Sequence, residues 1–247
     1  MSRQSYKALV SIIMPAYNAA TFIQETIQSV INQTHQNWEL LIVDDASTDD
    51  TIAQVQAFED KRIRLITLAT NSGAAIARNT AIEQSRGEYL AFLDSDDLWV
   101  ADKLEKQLTF MKEHGYVFTC TEHGVLEENG EISEIKTVKT KASYMDILKN
   151  NAGNSTIMYN CQILGKYYSP DIKRRNDITM WLQVIKNTPY LYGLQEPLTI
   201  YRKRGNSLSA NKLTLIRYQW KLYRDIEGLS FLTSVKLLIL KVIDVLT

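Results

Sequence analysis

The chain has 247 residues, 45% apolar and 23% charged, enough for one large domain or for one domain with an appendage. Lys plus Arg and Asp plus Glu both number 28, so the overall charge selects no partner. The two cysteines, Cys120 and Cys161, make neither a disulfide framework nor a zinc-ligand spacing, and fit a reducing compartment.

The opening residues do not read as a secretory signal: the apolar run is short, and Pro15 stands where a small-residue cleavage site belongs. No stretch offers the roughly 18 apolar residues of a membrane span. The expectation is a cytoplasmic protein. Leu9 to Met14 reads as a buried strand, followed by a helix opened by a capping box at Thr21–Gln24 and running to about Gln33. Leu40 to Val43 is a second strand ending in Asp44-Asp45, and Ser47, Thr48 and Asp49 offer caps for a helix through Phe58. Ile63 to Leu68 is a third strand, and Ala74 to Gln84 is a helix opened by Gly73 and closed by Gly87. Tyr89 to Leu93 is a fourth strand, ending in Asp94-Ser95-Asp96-Asp97. Strands alternating with helices predict a mostly parallel α/β sheet covered on both faces, with ligands at the carboxyl ends of the strands. Polar residues stand at every one of those ends.

The order then changes. A helix from Ala101 to Glu113 precedes a hairpin of Tyr116–Leu126 and Ile132–Val138 around Asn129-Gly130. Tyr144–Lys149 is a short helix and Thr156–Tyr159 a strand. A helix at Ile178–Lys186, a strand near Leu198–Tyr201 and a helix from about Leu213 to Ile226 complete the body. The tail from Leu229 to Leu246 reads as a helix with a broad apolar face, which fits packing on the body, a membrane surface or a dimer contact. From Lys173 onward basic residues dominate, including Arg202, Lys203, Arg204, Arg217, Lys221 and Arg224. They form either a solvated face or a positive surface beside a phosphate-bearing substrate or anionic membrane.

Three carboxylates within residues 94–97 repel one another at a strand end. A hard divalent cation relieves that repulsion, taking one or two carboxylates plus substrate phosphates as ligands. The competing reading is a solvated acidic turn that caps the next helix.

The motifs carry a resemblance. Val10 to Asn18, Ile42 to Asp49, Asn71-Ser72-Gly73 with Ala77-Arg78-Asn79, and Gly87 to Asp97 resemble, in order and spacing, the four blocks of family 2 glycosyltransferases of the GT-A fold. Asn176-Asp177 with Trp181, and Tyr201-Arg202 with Ser207 and Ser209, are similar to that family's later elements, so the likeness reaches about residue 210. The resemblance implies an inverting, metal-dependent transferase taking a sugar from a nucleotide-sugar, usually a UDP-sugar, to a saccharide. The overall pattern looks like enzymes that extend bacterial capsule, O-antigen or teichuronic-type chains on a polyprenyl diphosphate. Residues 1–100 would form the nucleotide-sugar-binding half, 101–227 the acceptor-binding half, and 228–247 an appended helix.

By the same resemblance, Asp96 and Asp94 would hold Mn²⁺ or Mg²⁺ beside the donor, with Ser95. Pro15, Tyr17, Asn18, Asp44 and Asp45 would hold the nucleoside, Arg78 would lie against the nucleotide, and Asp177 would be the general base. Asn176 and Trp181 would face the acceptor. An Asp before a helix also suits an N-cap, so Asp177 has that second reading. Two positions depart from the pattern. Asn176 stands where an acid is usual, and Arg204 stands near the family's common His; it can contact a diphosphate but cannot ligate a metal. His35, His114 and His123 lie outside the motifs and are expected at the surface.

Other classes fit less well. A haloacid-dehalogenase-type phosphatase would want Thr or Val at Leu98, a nucleotidyltransferase a Gly-rich first loop, and a dinucleotide oxidoreductase a G-x-G-x-x-G turn. A sugar-nucleotide-binding protein without turnover is the remaining alternative, and Asp96 and Asp177 argue against it.

Overall fold

The structure, a computed structural model, describes residues 7–150, 152–172, 174–203 and 212–246. The first half follows the expected alternation: β1 (Val10–Ala16), α1 (Ile23–Ile31), β2 (Trp38–Asp44), α2 (Thr51–Gln56), β3 (Ile63–Thr67), α3 (Ala74–Gln84) and β4 (Tyr89–Phe92). These strands pair in parallel in the order β3-β2-β1-β4. Every residue of β1, β2 and β4 is buried. Parallel strands covered on both faces are near-continuous apolar runs, and the polar residues Ser11 of β1 and Glu39 of β2 are buried as a pair, Ser11 Oγ donating to Glu39 Oε1 at 2.6 Å. Ile12, Met14, Leu40 and Ile42 enter one core with Leu104 and Leu108, while Ile13, Leu41 and Val43 enter the other with Ala77, Ala81 and Trp181. Successive side chains point to opposite faces, so two layers of helix are held by one set of strands.

The second half continues through β5 (Leu98–Trp99), α4 (Lys103–His114), β6 (Phe118–Leu126), β7 (Ile132–Lys136), β8 (Lys141–Ala142) and α5 (Tyr144–Lys149). A 3₁₀ turn at Asn154–Thr156 leads to β9 (Met158–Asn160), α6 (Cys161–Leu164), α7 (Asn176–Ile185) and β10 (Leu191–Arg202). These strands extend the sheet as β4-β9-β6-β10-β5, with β9 antiparallel to both β4 and β6 and with β10 parallel to β6. The β6–β7 hairpin forms as expected. The chain ends in α8 (Lys212–Lys221), a π turn (Leu222–Ile226) and α9 (Phe231–Leu246).

Several expectations are corrected. The capping box at Thr21–Gln24 does not form: α1 starts after Phe22 with no side-chain cap, and the Ala19 carbonyl accepts the amides of Phe22 and Ile23 instead. β10 is much longer than Leu198–Tyr201, because β6 pairs along it through register shifts around Pro197 that break the apolar alternation. His35 is 7% exposed, its Nε2 2.9 Å from the Ala8 carbonyl oxygen and 3.1 Å from that of Asn37, and His123 is partly buried; only His114 is exposed.

In α9, Ser234 and Leu237 are buried against the body, and Lys241 Nζ donates to the Lys149 carbonyl at 3.0 Å and to Asn150 Oδ1 at 2.7 Å. Phe231, Leu232, Ile239 and Leu240 face solvent. The helix thus packs on the body through a face that includes its polar residues and leaves large apolar side chains outside. Just before it, the buried Glu227 accepts from Tyr144 Oη and pairs with Lys186 at 2.8 Å, which keys the tail to α5 and to the end of α7. Among the described residues no helix is long and apolar enough to cross a membrane.

Gly87 turns the chain into β4, and a Cβ there would lie 2.6 Å from the Ser11 amide nitrogen and 2.7 Å from the Leu9 carbonyl oxygen. Both are backbone atoms of the β1 region and cannot step aside. Gly87→Ala is therefore expected to lower stability by about 1–3 kcal/mol, as overpacking does, read as a lower midpoint in urea denaturation.

Candidate active site

The loops after β1, β2 and β4 meet above the carboxyl edge of the sheet. Asn18 (φ 47°) and Ala46 (φ 58°) both adopt left-handed backbone, which is uncommon for non-glycine residues and is held here by cross-loop bonds. The Asn18 amide donates to Ser47 Oγ at 2.9 Å, the Thr48 amide donates to Asn18 Oδ1 at 2.9 Å, and the Ala20 amide donates to Asp49 Oδ2 at 3.1 Å. Asp45 accepts the amides of Ser72 and Gly73, both at 2.7 Å, and so fixes the entry to α3. Asp44 is fully buried; one oxygen accepts the Ser47 amide at 3.0 Å and the other has no protein partner. Of the residues expected at the nucleoside, Tyr17 presents an open surface, 49% exposed. Pro15 is buried within β1, and Asn18 and Asp45 spend their side chains on loop geometry.

The acidic loop after β4 is held by a residue that the sequence did not single out. Ser155, fully buried in the 3₁₀ turn, donates Oγ–H to Asp97 Oδ2 at 2.5 Å and accepts the Asp94 amide at 3.0 Å. Its own amide donates to Tyr201 Oη at 2.9 Å, and its carbonyl accepts from Trp99 Nε1 at 2.8 Å and from Thr199 Oγ1 at 3.2 Å. Next to it, Asn154 Nδ2 donates to Asp94 Oδ1 at 2.7 Å. A Cβ on Gly153 would fall 2.6 Å from Tyr201 Oη, so this turn tolerates only glycine there.

The three acids consequently differ. Asp97 is 3% exposed and points inward to Ser155 and the Arg202 amide, and burial together with the charges of Asp96 and Asp94 pushes its pKa well up. Asp94 is raised to about 6: burial raises it most, Arg78 opposes that, and the charges of Asp96 and Asp177 raise it further. Asp96 and Ser95 remain partly exposed, and the Ser95 carbonyl is steadied by Thr26 Oγ1 at 3.1 Å.

Asp177 reaches this cluster because of how α7 lies. The helix starts at Asn176, after Arg175 in a left-handed conformation (φ 64°), so Asp177 sits in the first turn and is not the N-cap. Trp181, one turn on and on the same side, is 1% exposed, its ring edge-on to Phe92 with centroids 4.7 Å apart. Phe92 ends β4, and two residues later comes Asp94. With Trp181 set against Phe92, the N-terminal turn of α7 stands level with the acidic loop. Trp181 is therefore a core wedge and not the acceptor-facing surface expected of it. Asn176 is likewise turned inward, accepting from Arg78 at 2.8 Å. Arg204, Ser207 and Ser209 lie outside the described residues.

A helix N-terminus and an acidic loop facing each other across the carboxyl edge of such a sheet define a nucleotide-sugar transferase of the GT-A kind. The comparisons agree. Residues 11–167 match Glycosyl transferase family 2, and the chain belongs to that family. It is 42% identical over 234 residues to a putative teichuronic acid biosynthesis glycosyltransferase, TuaG, of Bacillus subtilis, covering 93% of each chain. It is 37% identical over 219 residues to the Escherichia coli UDP-Glc:alpha-D-GlcNAc-diphosphoundecaprenol beta-1,3-glucosyltransferase WfgD, covering 88% of this chain and 86% of that one. Among solved structures, S. aureus TarS residues 1–349 in complex with UDP-GlcNAc superposes with a TM-score of 0.73 at 23% identity, over 94% of this chain and 71% of that one, a likeness of fold.

His123 stacks edge-on to Tyr201 with centroids 4.4 Å apart, and burial, then Lys136, pull its pKa down to about 4. A histidine held neutral in the native state but protonated when unfolded costs stability as pH falls from about 6.5 toward 4. His123→Phe should keep the ring contact and flatten this part of the stability–pH curve, measured as Tm between pH 4 and 7 against the parent chain.

Proposed function

We propose that this glycosyltransferase moves a sugar from a UDP-sugar to a saccharide acceptor carried on a polyprenyl diphosphate, in building a bacterial surface polysaccharide, with inversion at the anomeric carbon. One observation carries the reading: Arg78 spans from Asp94 Oδ1, 3.7 Å away, to Asn176 Oδ1, 2.8 Å away, which brings the first turn of α7 and Asp177 with it to the acidic loop after β4. The donor and lipid-linked acceptor in the name of the E. coli relative support the substrate classes. Residues 1–100 are assigned to the donor and 101–227 to the acceptor.

Chemically, the acceptor hydroxyl loses a proton as it attacks, and Asp177 is the carboxylate that takes it. Single displacement then turns an α-linked donor into a β-linked product. Tyr17, exposed at the mouth, offers its ring to the base of the nucleotide. Asp44, Asp45 and Asn18 act by shaping the loops behind it.

Among the described residues no group of three His, Cys, Asp or Glu forms a ready-made cage for a metal. The acids present fit a hard cation that takes most of its ligands from a diphosphate: Asp97 is turned inward, so Asp96, with Asp94, would hold Mn²⁺ or Mg²⁺. When bound, the ion would offset the charge that develops on the leaving diphosphate. Asp96→Asn and Asp177→Asn are each expected to lower kcat at least about 100-fold, followed as UDP release with Mn²⁺ present, and EDTA should abolish turnover by the parent chain. Full activity in Asp96→Asn, or UDP-sugar binding without any transfer, would refute the assignment.

The outer face of α9 supports contact with the membrane that carries such an acceptor, and hence a cytoplasmic, peripheral location. Phe231, Leu232 and Ile239 are exposed there with Lys236, and Arg217 and Lys221 are exposed on α8. An apolar face with basic flanks binds anionic bilayers. Leu232→Glu combined with Ile239→Glu is expected to abolish co-sedimentation with phosphatidylglycerol vesicles while leaving turnover on a soluble acceptor unchanged. Equal sedimentation of both proteins would remove the membrane role.

A further inference from the structure

Arg78 keeps partners that a nucleotide contact does not explain. Its side chain, 4% exposed on α3, donates from one terminal nitrogen to Asn176 Oδ1 at 2.8 Å, while the other lies 3.7 Å from Asp94 Oδ1. It thereby joins the acidic loop after β4 to the first residue of α7, across 98 residues of sequence. Asn176 also donates Nδ2 to the Ile172 carbonyl at 3.3 Å, so its amide is held on both sides.

The entry to α7 needs such a hold. Arg175 adopts left-handed backbone immediately before the helix, a conformation that surrounding contacts must maintain in a non-glycine residue. Trp181 and its buried neighbours Ile178, Met180, Leu182 and Val184 pack the helix from Ile178 onward, whereas Asn176 and Asp177 before them are only partly buried. The hydrogen bond from Arg78 to Asn176 holds the first turn, the end where Asp177 sits.

We propose that Arg78 is a positioning residue that, through Asn176, fixes the roll of the first turn of α7 and so the aim of Asp177 across the cleft. The assignment rests on Asp177 being the proton acceptor argued above.

Turnover and binding separate this role from a nucleotide contact. The set is Asn176→Ala, Asn176→Asp, Arg78→Met and the double variant Arg78→Met/Asn176→Ala in the full chain. kcat and donor KM are measured on each, with UDP affinity from calorimetry. Asn176→Ala should lower kcat by about 10- to 100-fold, the cost of a misaimed catalytic group, while donor KM and UDP affinity stay within about twofold. Asn176→Asp, which still accepts from Arg78, should recover most of the lost kcat. The double variant should be no slower than Arg78→Met alone, since both remove one interaction. Loss of UDP affinity in Arg78→Met with unchanged kcat in Asn176→Ala would overturn the proposal and return Arg78 to the nucleotide, and additive losses in the double variant would overturn it too. If Arg78→Met does not fold, the Asn176 pair decides alone. Asp177→Asn keeps the failures apart: retained activity there sinks both readings, whereas its inactivity beside a fully active Asn176→Ala sinks only the positioning role.

Discussion

The contact between Trp181 and Phe92 organises the site. It is a packing interaction with no chemistry of its own, edge of one ring to face of the other at 4.7 Å. An aromatic pair of this kind adds about 0.5–1.5 kcal/mol beyond the area it buries. Its larger effect is geometric. β4 delivers the acidic loop from one direction and α7 delivers Asp177 from the other, and the two rings set how far each element advances. A slip of one helical turn along this contact would carry Asp177 about 5.4 Å from its place, enough to break the facing arrangement.

Electrostatics then divide the labour among like-charged neighbours. Asp94, Asp96, Asp97 and Asp177 share a small region with the buried cation of Arg78. Such crowding is tolerable only if some acids are satisfied from within. Asp97 is turned to Ser155 and a backbone amide, and Asp94 is held by Asn154 and Arg78. The cluster therefore has a rigid interior built from a few residues.

Much of the fold could be read directly from the sequence. The strands of the first half are short apolar runs ended by polar residues, and α3 falls at Ala74–Gln84 because Gly73 and Gly87 punctuate it. The acidic loop and Asp177 were legible from their motifs. What escaped depends on contacts between distant segments. Ser155 looks like any small polar residue in a turn, and nothing near it in the chain shows that five of its hydrogen bonds converge on the acidic loop, Trp99 and β10. The resemblance places Trp181 and Asn176 at the acceptor, yet the helix turns both inward. β10 was underestimated because Gln195-Glu196-Pro197 interrupts its alternation, and its pairing with β6 overrides that local signal.

Product stereochemistry tests the central claim most directly, because it reports on which side of the anomeric carbon the proton acceptor stands. With an α-linked UDP-sugar and a soluble acceptor, the anomeric proton of the product is observed by NMR. A carboxylate facing the departing diphosphate across the sugar predicts a β linkage. An α-linked product would mean that the incoming oxygen and the leaving group share one face, and the facing arrangement of Asp177 and the acidic loop would no longer describe the reaction.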